Sequence, residues 1–143
     1  MRTCIDGPAS VQFNPIRFDG NLSFDALRDV GVSSILADAA SAAPTGECVC
    51  WGIPFAVDRP AHVFDKPVSL RVKPFTARWL VFMHTCDVAP LEFNAHGFLS
   101  PMRGIGRLGE TVATYVLRYA DETEARHAIR RRREIGMVQR QSW

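Results

Sequence analysis

An alternation of apolar and polar residues limits what this chain can fold into. The clearest series covers residues 47–57, where Val, Trp, Ile, Phe and Val occupy every second position. Residues 67–72 and 111–119 repeat the alternation, and residues 78–85 are almost continuously apolar. Successive side chains of an extended chain point to opposite faces, so a period of two predicts β-strands. The apolar run predicts a strand that is covered on both faces.

The links between these segments are rich in turn-forming residues, and no regular exchange of strand and helix is visible. This order predicts an all-β fold with little helix, an antiparallel two-sheet β-sandwich or jelly roll. The chain has 143 residues, a common size for one domain, so residues 1–143 are predicted to form a single domain. With 47% hydrophobic and 22% charged residues, the composition excludes disorder of the whole chain.

Two segments leave the secondary structure open. Residues 35–43 are rich in alanine and favour a helix by propensity, but in a β protein they could equally form a loose connection. Residues 123–133 contain good helix formers, yet their alternation also suits the return strand of a hairpin. Residues 21–29 are turn-rich and have room for one helical turn.

Four short motifs occur in a familiar order along residues 11–135. They are Trp51-Gly52-Ile53-Pro54-Phe55, Val72-Lys73-Pro74-Phe75, Trp79-Leu80-Val81-Phe82-Met83-His84-Thr85 and Tyr115-Val116-Leu117-Arg118-Tyr119-Ala120-Asp121. This order resembles galactose-binding-domain-like jelly-roll modules of bacterial proteins. The resemblance implies that residues 123–132 are the return strand of a hairpin. Glu122 stands where the family pattern has a turn glycine.

The resemblance also implies a role, because such modules usually accompany a larger and often hydrolytic domain. The ending at Trp143 predicts that the chain is a piece of a longer protein. The predicted function is therefore that of a non-catalytic accessory module, which binds carbohydrate or packs against a companion catalytic domain. The alternatives are a structural or protein-interaction module without a small ligand, and a small hydrolase with a site near His84.

Charge and hydropathy limit the classes of partner and the location that the sequence predicts. Residues 1–65 carry a net charge of −4 and residues 66–143 a net charge of +6, which balance if both halves fold into one body. No apolar run approaches the ~20 residues that span a bilayer, and the start lacks a signal peptide, so no membrane partner and a cytoplasmic location are predicted. The run Arg130–Arg133 lacks the stacking aromatic residues of a nucleic-acid site. It is interpreted as a solvated edge or a contact with a neighbouring domain.

Signals for catalysis or a cofactor are weak. Residues 104–109 match G-x-G-x-x-G, but no strand and helix flank them as dinucleotide binding requires. The four cysteines and four histidines lack zinc-site spacing, and no Gly-x-Ser-x-Gly elbow is present. The thiols are interpreted as reduced, partly buried small hydrophobes. We therefore predict no catalytic residue, no metal and no cofactor.

The candidate ligand site lies at the end of the predicted central strand and in the long loop of residues 87–109. Loops at the rim of a rigid scaffold are where such folds bind ligands. Trp51 and Trp79 are predicted to be core, because strands bury tryptophan, whereas aromatic residues exposed on the loop suit sugar binding. The predicted ligand-binding residues are His84, Asp87, Phe93, Phe98, Arg103 and Arg107.

Overall fold

The computed structural model of the chain describes residues 4–89, 93–98 and 107–138. The chain divides into two compact units, Met1–Met83 and His84–Trp143. The described elements are, in chain order, a 3-10 helix Asp25–Val30, α1 Ser34–Ser41, β1 Gly46–Cys50, β2 Ile53–Val57, β3 Thr111–Arg118 and β4 Glu124–Arg130.

Strand exceeds helix among the described residues, and both strand pairs are antiparallel. β1 pairs with β2, and β3 pairs with β4, so each pair is a two-stranded sheet. The predicted antiparallel, mainly-β character is therefore confirmed. The sandwich and the single domain over residues 1–143 stay predictions.

The alanine-rich segment of the first unit is helical, as its propensity favours. The Ser33 hydroxyl caps α1 by accepting a hydrogen bond from the Leu36 amide at 3.1 Å. Ala37 and Ala40 are buried on α1, and Leu27 is buried on the 3-10 helix that contacts it. The small alanine side chains let these two helices approach closely, and the predicted helical turn of residues 21–29 is this 3-10 helix.

Residues 47–57 form a hairpin and not the single strand that their alternation predicts. Trp51 and Gly52 have φ values of 51° and 75° and reverse the chain in two residues. Two consecutive positive φ values are typical of the tight turns that match strand twist. The prediction that Trp51 is core is wrong, because the turn leaves it 92% exposed.

Two predicted strands are not formed. Residues 67–72 and 78–85 lie outside every helix and strand of the described chain. Trp79, predicted to be core, is 77% exposed. Alternation of apolar and polar residues indicates that a segment suits an extended conformation. A strand also needs a neighbouring strand whose backbone pairs with its amide and carbonyl groups.

The second unit is built on the β3–β4 hairpin. Its register pairs Tyr115 with His127, and Ile129 of β4 is buried. The prediction that residues 123–132 form the return strand of the hairpin is confirmed for Glu124–Arg130, which are β4. The helical alternative is wrong. The connection has Glu122 at φ 67°, with the Tyr119 amide donating to the Thr123 carbonyl at 2.9 Å.

Candidate functional site

His84 uses both ring nitrogens inside the second unit. Its Nδ1 lies 2.9 Å from the Tyr115 hydroxyl, and its Nε2 lies 2.9 Å from the Glu134 carbonyl oxygen. A carbonyl can only accept, so Nε2 carries the hydrogen, and in the neutral imidazole Nδ1 then accepts from the tyrosine. The arrangement fastens the start of the unit to β3 and to the segment after β4.

Arg131 joins four neighbours in what we call the Arg131 network: Cys86, Asp87, Glu110 and, through Glu110, Arg107. The guanidinium donates from Nη1 to the Asp87 carbonyl at 2.5 Å and to Cys86 Sγ at 3.3 Å. Its Nε donates to Glu110 Oε2 at 2.8 Å, and Arg107 Nη1 donates to Glu110 Oε1 at 2.9 Å. The network therefore brings together two predicted ligand residues, Asp87 through its main-chain carbonyl and Arg107 through its ion pair with Glu110.

The protonation of this network follows from burial and from the two arginines. Burial alone would raise the pKa of Glu110, but hydrogen bonds and charges from Arg107 and Arg131 outweigh it and hold that pKa below its ordinary value. Burial raises the pKa of the Cys86 thiol, and Arg131 offsets only part of the effect. Cys86 is therefore a neutral thiol at neutral pH, whereas a nucleophilic cysteine needs a depressed pKa.

Phe93 and Phe98 flank a tight turn, residues 93–98, which we call the aromatic turn. The Asn94 amide donates to the Phe98 carbonyl at 2.9 Å, and the Gly97 amide donates to the Asn94 carbonyl at 2.9 Å. Asn94 Oδ1 accepts from the amides of His96 at 3.0 Å and Phe98 at 2.9 Å. Gly97, with φ 75°, supplies the left-handed residue. Phe93 is 61% exposed and Phe98 is 69% exposed.

The six predicted ligand residues therefore separate into three groups. Asp87 and Arg107 belong to the Arg131 network, His84 is bonded to Tyr115 and Glu134, and the two phenylalanines lie on the aromatic turn. Arg103 lies outside the described residues. Sequence reasoning missed Tyr115, Glu110 and Glu134 as partners. Of these, only Tyr115 carried a signal, its place on one face of a predicted strand.

The four-arginine run does not form one basic surface. β4 ends at Arg130, which is ion-paired with Glu134, and Arg131 is paired with Glu110. Arg132 adopts φ 58° in the following turn. The interpretation as a contact with a neighbouring domain is not needed for Arg130 and Arg131, because both find carboxylates within their own unit.

All four cysteines are free thiols. Within residues 4–89, 93–98 and 107–138, no group of His, Cys, Asp or Glu side chains is arranged to hold a metal ion. None of the helices described is long and apolar enough to cross a membrane. Comparisons of the chain with protein-family models, with curated proteins and with solved structures found no match.

Proposed function

We propose that the chain is a non-catalytic accessory module whose aromatic turn binds carbohydrate. The observation that carries the proposal is the pair of phenylalanines on this turn, each more than half exposed. A phenyl face stacks on the apolar C–H surface of a sugar ring. Exposed aromatic side chains grouped at one place are typical of a binding surface.

The turn is suited to binding because its backbone is already fixed. Asn94 holds it through four hydrogen bonds: its main-chain amide donates one, its main-chain carbonyl accepts one, and its side-chain oxygen accepts two. A fixed turn loses little conformational entropy when a ligand binds. The side-chain nitrogen of Asn94, Nδ2, and the ring of His96, which is exposed, are donors that suit sugar hydroxyls.

The environment of His84 and Cys86 supports a role without catalysis. A hydrolase near His84 would need a histidine nitrogen ready to take a proton from a nucleophile. Here one nitrogen donates to a main-chain carbonyl and the other is hydrogen-bonded to a tyrosine hydroxyl. The neighbouring thiol is kept neutral by burial.

The galactose-binding-like jelly roll is part of this proposal. Two antiparallel hairpins and the left-handed Glu122 at the pattern's glycine position support it.

A glycan array followed by isothermal titration calorimetry tests the binding. We expect Phe93→Ala and Phe98→Ala each to weaken binding to the glycan that the wild type retains on the array by tenfold or more. Each substitution removes one aromatic face on which the sugar stacks. Phe64→Ala is the matched control, since Phe64 is 84% exposed in the other unit. An array without a bound glycan, or equal affinity of wild type and both variants, would reject the proposal.

A second function, docking of a companion domain, is favoured by residues 63–81. They make no backbone hydrogen bond with other described residues, and Phe64, Phe75 and Trp79 are exposed. Residues 63–81 carry a net charge of +3, from one acidic residue, Asp65, and four basic residues, Lys66, Arg71, Lys73 and Arg78. A main chain without hydrogen-bond partners can accept an added strand, and these charges select an acidic one.

Amide hydrogen exchange tests this docking with a short peptide of alternating valine and glutamate as the probe. We expect the peptide to slow exchange in residues 67–72, because added backbone hydrogen bonds protect amides. A valine–lysine peptide and the Arg71→Glu/Lys73→Glu variant are the controls, and both should lack protection. Protection that is equal with both peptides, or absent with the acidic one, would contradict this function.

A further inference from the structure

Three of the four cysteines lie together in the first unit, beside the turn of the β1–β2 hairpin. Ile5 pairs with Val49 in a parallel bridge, where the Val49 amide donates to the Cys4 carbonyl at 2.8 Å and the Asp6 amide donates to the Val49 carbonyl at 3.2 Å. The Asp6 carboxylate also accepts the Trp51 amide at 2.6 Å. Residues 4–6 therefore lie along β1 and are joined to it by this isolated parallel bridge.

The register of this bridge decides which side chains are neighbours. Paired residues in a parallel arrangement point to the same face, and the next residues along each strand point to the other. Because Ile5 pairs with Val49, Cys4 lies beside Cys48, and Asp6 lies beside Cys50. Neighbouring parallel strands are about 4.8 Å apart, within the Cα separation that a disulfide spans.

The accessibility of the thiols differs within the pair. Cys4 is exposed, whereas Cys48 is buried. Burial raises the pKa of the Cys48 thiol, a hydrogen bond with Cys50 partly offsets this, and Cys4 raises it further. Burial also raises the pKa of Cys50 to about 11, with added contributions from the charge of Cys48 and from both the charge and a side-chain hydrogen bond of Cys4. The Cys50 thiol therefore also lies close to Cys4 and is the competing partner. An oxidant in solution therefore meets Cys4 first.

We propose that Cys4 and Cys48 are a redox-active pair, which a low-molecular-weight disulfide such as oxidised glutathione converts into a disulfide bond. This inference is independent of the proposed carbohydrate binding, because the pair lies in the first unit. The bond fastens residues 4–6 to β1 and closes the chain between positions 4 and 48. The chain would then have two states, a reduced state with free Cys4 and Cys48 thiols and an oxidised state with a Cys4–Cys48 disulfide bond.

The chemistry proceeds in two exchange steps. The Cys4 thiolate attacks one sulfur of oxidised glutathione, which forms a mixed disulfide and releases one glutathione thiolate that takes up a proton. The Cys48 thiolate then attacks Cys4 Sγ, which forms the protein disulfide and releases the second glutathione. Two protein thiols are oxidised, one glutathione disulfide is reduced to two thiols, and the protons end on those thiols.

Incubation with a glutathione redox buffer, followed by alkylation of free thiols and mass spectrometry, tests the pairing. We expect the wild type to lose two free thiols while it remains a monomer on a non-reducing gel. Cys50→Ala should cross-link as the wild type does. Cys48→Ala should stop with one glutathione on Cys4, and Cys4→Ala should form no cross-link.

The Cys50→Ala variant also covers the case in which Cys48→Ala does not fold, because Cys48 is then the only thiol of β1. Oxidation of Cys50→Ala should raise Tm by several degrees, since the bond restricts the unfolded chain. Circular dichroism at 222 nm follows the thermal unfolding of the reduced and of the oxidised variant. A cross-link that persists in Cys48→Ala but is lost in Cys50→Ala, or no cross-link in the wild type, would overturn the proposal.

Discussion

At the scale of single residues, hydrogen-bond partners separate structural side chains from those open to a ligand. His84 was predicted to bind a ligand from its place at the end of an apolar segment. Its two nitrogens lie against the Tyr115 hydroxyl and the Glu134 carbonyl, each at 2.9 Å. A part-buried polar group that loses a partner costs free energy, so we expect substitution of His84 to lower the stability of the protein.

Tyr115→Phe tests this role of His84, because it removes only the hydroxyl. We expect it to destabilise the protein by about 1 kcal/mol, the usual value of one such hydrogen bond. His84→Ala, which also leaves the Glu134 carbonyl without its donor, should cost about 1–3 kcal/mol. Urea denaturation measures both. Unchanged stability in both variants would mean that the hydrogen bonds do not hold the unit together.

The pKa of Glu134 predicts a loss of stability in acid. The hydrogen bond from Arg130 lowers that pKa from its ordinary 4.5 to about 2. Because the folded pKa is depressed, the stabilisation is complete above pH 4.5 and is lost as the pH falls towards 2. Glu134→Gln should flatten the pH dependence of the free energy of unfolding in this window. An identical acid transition in the variant and the wild type would contradict the assignment.

At the scale of elements, the two hairpins differ in how well their turns suit their sequences. Alternation along residues 111–119 and the turn residues Ala120 to Glu122 predicted β3 and its turn. They left β4 open between a strand and a helix, and only the family resemblance favoured the strand. The β1–β2 hairpin was missed because its turn contains tryptophan. Tight turns with two positive φ values favour Asn and Gly, so Trp51 gave no turn signal.

Glu122→Gly is predicted to stabilise the second unit. Glu122 adopts φ 67°, a conformation that costs a residue with a Cβ roughly 1–2 kcal/mol and glycine almost nothing. We expect a gain of about 1 kcal/mol, reduced by the greater freedom of glycine in the unfolded chain. Thermal denaturation measures the gain, with Ala120→Gly as the control. A lower Tm for Glu122→Gly than for Ala120→Gly would show that the turn differs from the one described.

Trp51→Asn is the corresponding change in the first unit. Trp51 has φ 51° and its side chain is 92% exposed, so the replacement removes little packing. Asparagine tolerates the left-handed conformation, and we expect a gain of roughly 0.5–1 kcal/mol. Chemical denaturation followed by circular dichroism measures it. A loss of stability would indicate that the indole makes contacts that the exposed turn does not show.

At the scale of the whole molecule, sequence reasoning reached the class of the fold and part of the site. Period and propensity predicted the antiparallel, strand-rich character and, as one of two alternatives, α1. They could not predict that residues 67–72 and 78–85 would remain without strand partners, because pairing depends on residues far away in sequence. Phe93 and Phe98 were identified as exposed loop aromatics, whereas the Arg131 network depends on contacts that no spacing reveals.

Saturation-transfer difference NMR tests whether the aromatic turn is the surface that binds sugar. The glycan retained on the array is added to the wild type and to the double variant Phe93→Ala/Phe98→Ala. We expect magnetisation to pass most strongly to the C–H protons of one face of the sugar, and the double variant to abolish the transfer. Transfer of equal strength and pattern in the double variant would contradict it.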